Sequence, residues 1–326
     1  MTSSVLPIIH SVLDADAVGE CLKERFGFNG LFQCELLTRG MNDVYLIRHD
    51  GVRYAARVWR HGARTSDDVQ YELEFLRHLA ASGISVAASV PLPGGDLNFE
   101  VEGPEGVRPV ALFNWIDGGP IANGKDPEVS ARAGEILAKI HVAGLAFKPS
   151  VERIVDYGDG IRKNYHAIEA MIFDRPDLLK FFSEMKTKIL AVLDSHIGVL
   201  PIGPTHGDFH SYNAFINDDD QIIFLDFDNC GVGGYAQEIM CNLWSVDKSQ
   251  LGESFGSRFI EGYESVRPLV QVERDALPVL KSAKEFSYLC GAANAINAVG
   301  HSAIRWPGID WFAKSIRRNA EASGLI

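Results

Sequence analysis

From residue 205 the chain reads Thr-His-Gly-Asp-Phe-His-Ser-Tyr-Asn, and after a short apolar run it reads Phe-Leu-Asp-Phe-Asp up to residue 228. This segment carries three oxygen donors: Asp208, then Asn213 (208 + 5) and Asp226 (208 + 18). The run Ile222-Ile223-Phe224-Leu225 has the pattern of a buried strand, so the Asp226 carboxylate emerges at a strand end. Taken singly, an Asp after Gly or an Asn before a strand is ordinary turn chemistry. Three such groups in one β-loop-β insertion between helical stretches are much harder to explain as turns.

The stretch His206-Gly207-Asp208-Phe209-His210-Ser211-Tyr212-Asn213 resembles the H-G-D-x-H-x-x-N catalytic loop of the aminoglycoside phosphotransferase and choline kinase family. Its nearest flavour is the branch of type II homoserine kinases and the bacterial stress response kinase. The position of Asp226 fits the same pattern. The resemblance implies an α+β, bilobal, protein kinase-like fold, with a β-rich N-lobe and a mainly helical C-lobe. It also implies ATP- and magnesium-dependent transfer of the γ-phosphate to a hydroxyl of a small-molecule acceptor, such as an aminoglycoside, an amino alcohol, homoserine or a sugar-like compound. The alternatives are a Ser/Thr protein kinase of the stress response kinase type, a nucleotide-binding pseudokinase and a metal-dependent hydrolase.

Phosphoryl transfer uses one carboxylate to orient the attacking hydroxyl, and an amide oxygen plus a second carboxylate to hold magnesium on the nucleotide phosphates. By resemblance Asp208 is the catalytic base, and Asn213 and Asp226 are the metal ligands. Asp228 stands where protein kinases have the Gly of D-F-G; it could reach a metal directly, act through water or cap the loop. His206 is expected as a scaffold for the loop. His210 could line the acceptor site, touch phosphate or make a local hydrogen bond.

Nucleotide binding is expected in the first third of the chain. Arg57, on an apolar strand, occupies the position of the kinase strand Lys, and its guanidinium suits phosphate oxygens; a solvent-facing cation is the plain alternative. Glu72 is its expected helix partner and Glu74 the competitor. Gly40-Met41-Asn42-Asp43 lies where the family has a phosphate-covering loop, although a plain turn explains it as well. Backbone groups of Phe113, Asn114 and Trp115 would pair with the adenine edge at a hinge. The expected boundaries are 1–113 for the N-lobe, 114–118 for the hinge and 119–326 for the C-lobe. Leu137 to His141 resembles a structural helix-ending element. Glu238 departs from the family's usual Asp, but could brace the catalytic loop through its longer arm.

Periodicity places helices at 11–26, 66–82, 127–146 and 178–197, and strands at 32–38, 44–48, 53–59, 86–91 and 107–115. Beyond Gly233 the chain reads as helices broken near Pro268, Pro278 and Pro307. Tyr212, Trp244, Tyr288, Trp306 and Trp311 could wall the acceptor site, with Glu285 or Asp247 binding an amine; core packing and solvated helix faces explain them as well. Arg305, Arg317 and Arg318 are expected at a helix terminus or in solvent. A net charge of −12 from 31 basic and 43 acidic residues speaks against a nucleic-acid partner. Five cysteines without a C-x-x-C pair argue against a disulfide framework or zinc site. Neither a secretory signal nor a membrane span is expected from the sequence. A cytoplasmic monomer or homodimer without a membrane partner is the expectation.

Overall fold

Asp50 and Gly51 have φ of 47° and 84°, the pair of positive values a two-residue hairpin requires. They join strands β2 (Asp43–His49) and β3 (Val52–Val58), which with β1 (Phe32–Arg39) begin an antiparallel sheet. A computed structural model describes residues 6–300 and 308–326 of the chain. By packing the chain divides into two units: residues up to Asp117 with Lys148–Glu152, and Gly118–Phe147 with Arg153–Ile326.

In the first unit the sheet order is β1-β2-β3-β6-β4, and β5 pairs with β6. Here β4 is Ser89–Val90, β5 is Phe99–Gly103 and β6 is Gly106–Asn114. Helix α1 (Ala15–Phe26) is capped by Asp14, whose carboxylate accepts from Ala17 N at 3.0 Å, so the helix starts later than the residue 11 expected from periodicity. Its Val18 and Leu22 pack on alternate residues of the central strands: Tyr45 and Ile47, Ala56 and Val58, Val110 and Leu112. Helix α2 (Ser66–Ala81) begins in a capping box between Thr65 and Asp68. The expected strand at 86–91 shortens to two residues, and β5 has no counterpart in the sequence reading. Its Phe99-Glu100-Val101-Glu102 alternation is legible but is obscured by the Gly- and Pro-rich turn before it.

The second unit is mainly helical. It begins with β7 (Gly119–Pro120), α3 (Ile121–Gly124), α4 (Pro127–Gly144), α5 (Tyr157–Met171) and α6 (Pro176–Ser195). Four short strands follow: β8 (Ile202–Thr205), β9 (Ala214–Ile216), β10 (Ile222–Phe224) and β11 (Gly231–Gly234). Then come α7 (Tyr235–Lys248), α8 (Glu253–Glu264), α9 (Gln271–Val299) and α10 (Ile309–Ala322). The class is α+β, as the sequence implies.

Helix α5 has no counterpart in the sequence reading, although Ile161, Tyr165, Ile168 and Ile172 form one buried stripe. Helix α9 runs through Pro278 instead of breaking there. A proline inside a helix costs about 3 kcal/mol, whereas each fully buried Leu or Phe returns about 1.5–3 kcal/mol. Leu280, Phe286 and Leu289 beyond the proline are all buried in the core with α5, α6 and α10. Pro307 lies outside the described residues, as do Arg305 and Trp306. Helices α4 and α8 cross closely at glycine: a Cβ on Gly262 would lie 1.8 Å from the Ala131 carbonyl oxygen.

Candidate active site

Glu238, in the first turn of α7, anchors the loop between β8 and β9 from below. Its carboxylate accepts from two consecutive backbone N–H groups, His206 N at 3.0 Å and Gly207 N at 2.6 Å. His141 of α4 donates from Nε2 to the same carboxylate at 2.7 Å and accepts at Nδ1 from the Tyr263 hydroxyl at 2.7 Å. Arg267 hydrogen-bonds Tyr263 in turn and forms an ion pair with Glu273. Such pairing is what allows an ionised carboxylate to sit in a core. Burial acts to raise the Glu238 pKa, but hydrogen bonds from His141 and the loop hold it below the usual glutamate range. Burial pushes His141 the other way, to a lowered value.

Within the loop, Gly207 has φ of 84°, and a Cβ there would lie 1.8 Å from the Asn229 carbonyl oxygen. His206 donates from Nε2 to the Leu225 carbonyl at 2.8 Å and packs on the Phe227 ring. Phe209 is fully buried and stacks on Phe224 at 4.5 Å. These contacts leave Asp208 at the rim of the core. Asn213 donates from Nδ2 to the Asp208 carbonyl at 3.2 Å, while its own carbonyl accepts from Leu225 N at 2.8 Å. The β9–β10 ladder, in which Ala214 faces Phe224, therefore sets Asn213 beside the residue before Asp226. Asp226 is exposed and has φ of 60°, a left-handed backbone that costs a non-glycine residue about 1–3 kcal/mol. The loop and the ladder thus bring Asn213 against Asp208 and beside the residue before Asp226. Asp228 offers its backbone carbonyl to Arg153 at 2.8 Å.

In the first unit, Arg57 Nη1 donates to Glu72 Oε1 at 2.7 Å, and its guanidinium lies over the rings of Trp59 and Phe113 at 5.2 and 5.1 Å. Its side chain is 14% exposed, so it is not a solvent-facing cation. Glu74, the competing partner, instead accepts from Ser150 and Gln70. Phe113 and Asn114 end β6, opposite Ala55 and Tyr54, and Trp115 follows with its indole N–H on Asp117. The Gly40–Asp43 turn is held from within. Arg60 donates to the Gly40 carbonyl, and the buried Asp43 is paired with the buried Arg108 at 2.7 Å.

Residues 35–275 match the profile of the Phosphotransferase enzyme family (APH). The chain belongs to this family. An uncharacterised Synechocystis protein is 28% identical over 86% of this chain and 78% of its own length. A homoserine kinase of Rhizobium johnstonii is 30% identical over 65% of each chain. Among solved structures, an amicoumacin kinase in complex with AMP-PNP, Ca2+ and amicoumacin aligns with a TM-score of 0.74, 17% identity and coverage of 95% of this chain and 93% of that one. The fold is therefore kinase-like, and the chain is a phosphotransferase acting on an alcohol group. Among the described residues no helix is long and apolar enough to cross a membrane.

As a member of this family the chain has a feature near Asp208 that sequence reasoning missed. Lys284, on α9, donates from Nζ to Asp208 Oδ1 at 2.9 Å, and the Cys241 thiol donates to the same oxygen at 3.2 Å. Burial acts to raise the Asp208 pKa, but Lys284 and His210 hold it well below the usual aspartate range. Burial also acts against the Lys284 ammonium, yet the acidic groups Cys241, Asp208 and Tyr157 hold its pKa well above the usual lysine value. Burial pushes the Cys241 thiol and the Tyr157 phenol upward.

Tyr212 packs edge-on to His210, whereas Trp244, Tyr288 and Trp311 gather with Phe312, and Trp244 also lies 5.7 Å from Lys284 Nζ beside Asp208. The chain's own Lys248 lies 3.2 Å from the Trp311 ring centroid and 2.7 Å from Glu285. Glu285 is fully buried and also accepts from Ser315 and Asn319, so it serves this internal cluster. Asp247 pairs with Lys281. Arg317 lies over the Phe181 ring, and Arg318 donates to Ser315.

Proposed function

We propose that this phosphotransferase moves the γ-phosphoryl group of ATP, with magnesium, to the hydroxyl of a small-molecule acceptor. The observation that supports the proposal is the pairing of Asn213 with the Asp208 carbonyl on one side and with Leu225 N, one residue before Asp226, on the other. Asn213 and Asp226 offer hard oxygen donors, a set suited to magnesium, which keeps much of its coordination sphere for phosphate and water. Those two side chains would hold the ion, which when bound would neutralise charge on the phosphates. Asp208 would accept the hydrogen bond of the acceptor hydroxyl and aim its oxygen at the γ-phosphorus. The new O–P bond forms as the bond to the bridging oxygen breaks, the electron pair leaves with ADP, and the hydroxyl proton passes to Asp208. The lowered pKa of Asp208 makes it a weak base, which fits a loose transition state that needs positioning more than proton abstraction. In the first unit, Arg57, held by Glu72, would bind nucleotide phosphate, and the backbone of Phe113, Asn114 and Trp115 would read adenine.

Similarity to a homoserine kinase supports a small hydroxyl compound over a protein hydroxyl. The test is transfer from γ-labelled ATP across a library of homoserine, amino alcohols, aminoglycosides and sugars, run beside generic protein substrates. Labelling of one small acceptor with loss of activity on chelation is the expected result. Labelling of protein alone, or phosphate release without nucleotide, would contradict the proposal.

A further inference from the structure

Lys284 is an expensive residue in its position. It lies on a helix whose neighbouring positions Leu280, Ala283 and Phe286 are core residues, and its side chain is 10% exposed. Burying an ammonium costs several kcal/mol unless it is well paired, and a pair serving stability alone gains little over apolar packing. The partner, moreover, is the rim carboxylate of Asp208, whose side chain is 34% exposed. Lys284 Nζ lies 5.7 Å from the ring centroids of both Tyr157 on α5 and Trp244 on α7. Both rings belong to elements outside the loop. Among the described residues the hydrogen bonds to the Asp208 carboxylate, from Lys284 and from Cys241, both fall on Oδ1.

We propose that Lys284 is a positioning residue for phosphoryl transfer: it fixes the Asp208 carboxylate through Oδ1 and so reserves Oδ2 for the acceptor hydroxyl. This inference rests on the role given to Asp208 above. It assigns to α9, 76 residues along the chain from the loop, a part in setting the angle of attack. An acceptor hydroxyl bonded to a freely turning carboxylate would spend most of its time misaligned, and misalignment lowers turnover without weakening nucleotide binding.

The test is a double-mutant cycle in single-turnover transfer. Lys284→Met is expected to lower the rate about tenfold to a hundredfold, the worth of one hydrogen bond to a charged group. The KM for ATP should stay within about twofold of wild type, because uniform binding is untouched. Lys284→Arg should recover most of the rate. In an Asp208→Asn background, Lys284→Met should cost nothing further, because the residue acts through the carboxylate that has been removed. A generally structural lysine would instead give losses that multiply. Should Lys284→Met fail to fold, Lys284→Gln, which keeps a donor and loses the charge, carries the same comparison. Multiplying losses, or a Lys284 variant with the wild-type rate while Asp208→Asn is inactive, would overturn the inference and leave the role of Asp208 standing. Full activity in Asp208→Asn would overturn both.

Discussion

At position 207 a methyl group would meet the Asn229 carbonyl oxygen at 1.8 Å, on a backbone with φ of 84°. The left-handed conformation alone costs an L-residue about 1–2 kcal/mol, and the clash adds to it. Gly207→Ala should therefore lower the urea midpoint and abolish transfer; an unchanged midpoint would mean that the loop has room the geometry denies. Arg57→Ala should raise the KM for ATP with a smaller effect on kcat, measured by steady-state kinetics. An unchanged KM would remove Arg57 from the nucleotide site. The three donors stand out because they lie in one short segment that resembles a catalytic loop. Glu72 was legible as the partner of Arg57 through the family pattern. Lys284 was not, because a lysine on a helix reads as surface charge until the fold reveals which face is buried.

The elements that carry the site are tied together by buried side chains. Through Glu238 and His141, α7 and α4 hold the loop between β8 and β9, so their packing and the loop's geometry form one unit. Glu238→Ala would leave His141 and two loop N–H groups without their partner, and removing one member of a buried pair costs about 3–5 kcal/mol. Chemical denaturation should record a loss of that size; a loss below about 1 kcal/mol would mean that the loop is held by other contacts. Glu238→Asp should retain part of the stability only if the loop can move toward the shorter arm. Glu238 departs from the family's usual Asp, and its role as a brace was legible only through the reach of its longer arm. In α5, Gly158, Gly160 and Asn164 lower helix propensity and mask the apolar stripe, whereas at Pro278 core burial overrides a real local signal.

At the scale of the whole molecule, the buried histidines set a direction for stability with pH. Burial lowers the pKa of His10, His141 and His196 in the folded state. The unfolded chain therefore binds more protons near and below the ordinary histidine value of about 6.5. Stability should be flat above that value and should fall as pH drops through it toward the lower folded values. The depressed pKa of Glu238 adds a second loss in more acid solution, because that contribution is present above the ordinary glutamate pKa and disappears as pH falls through the folded one. Denaturant unfolding between pH 8 and pH 5 measures the first effect, and a rise in stability on acidification would contradict it. Asp208 is proposed to orient the acceptor while Asn213 and Asp226 hold the metal. Measuring γ-phosphate transfer beside magnesium-dependent ATP binding in Asp208→Ala and Asp226→Ala separates these roles. Asp208→Ala should lose about 10²–10⁴-fold in transfer and keep binding, the range for a positioned acid–base group, while Asp226→Ala should lose both. Full transfer by Asp208→Ala, or metal-dependent binding intact in Asp226→Ala, would contradict the account.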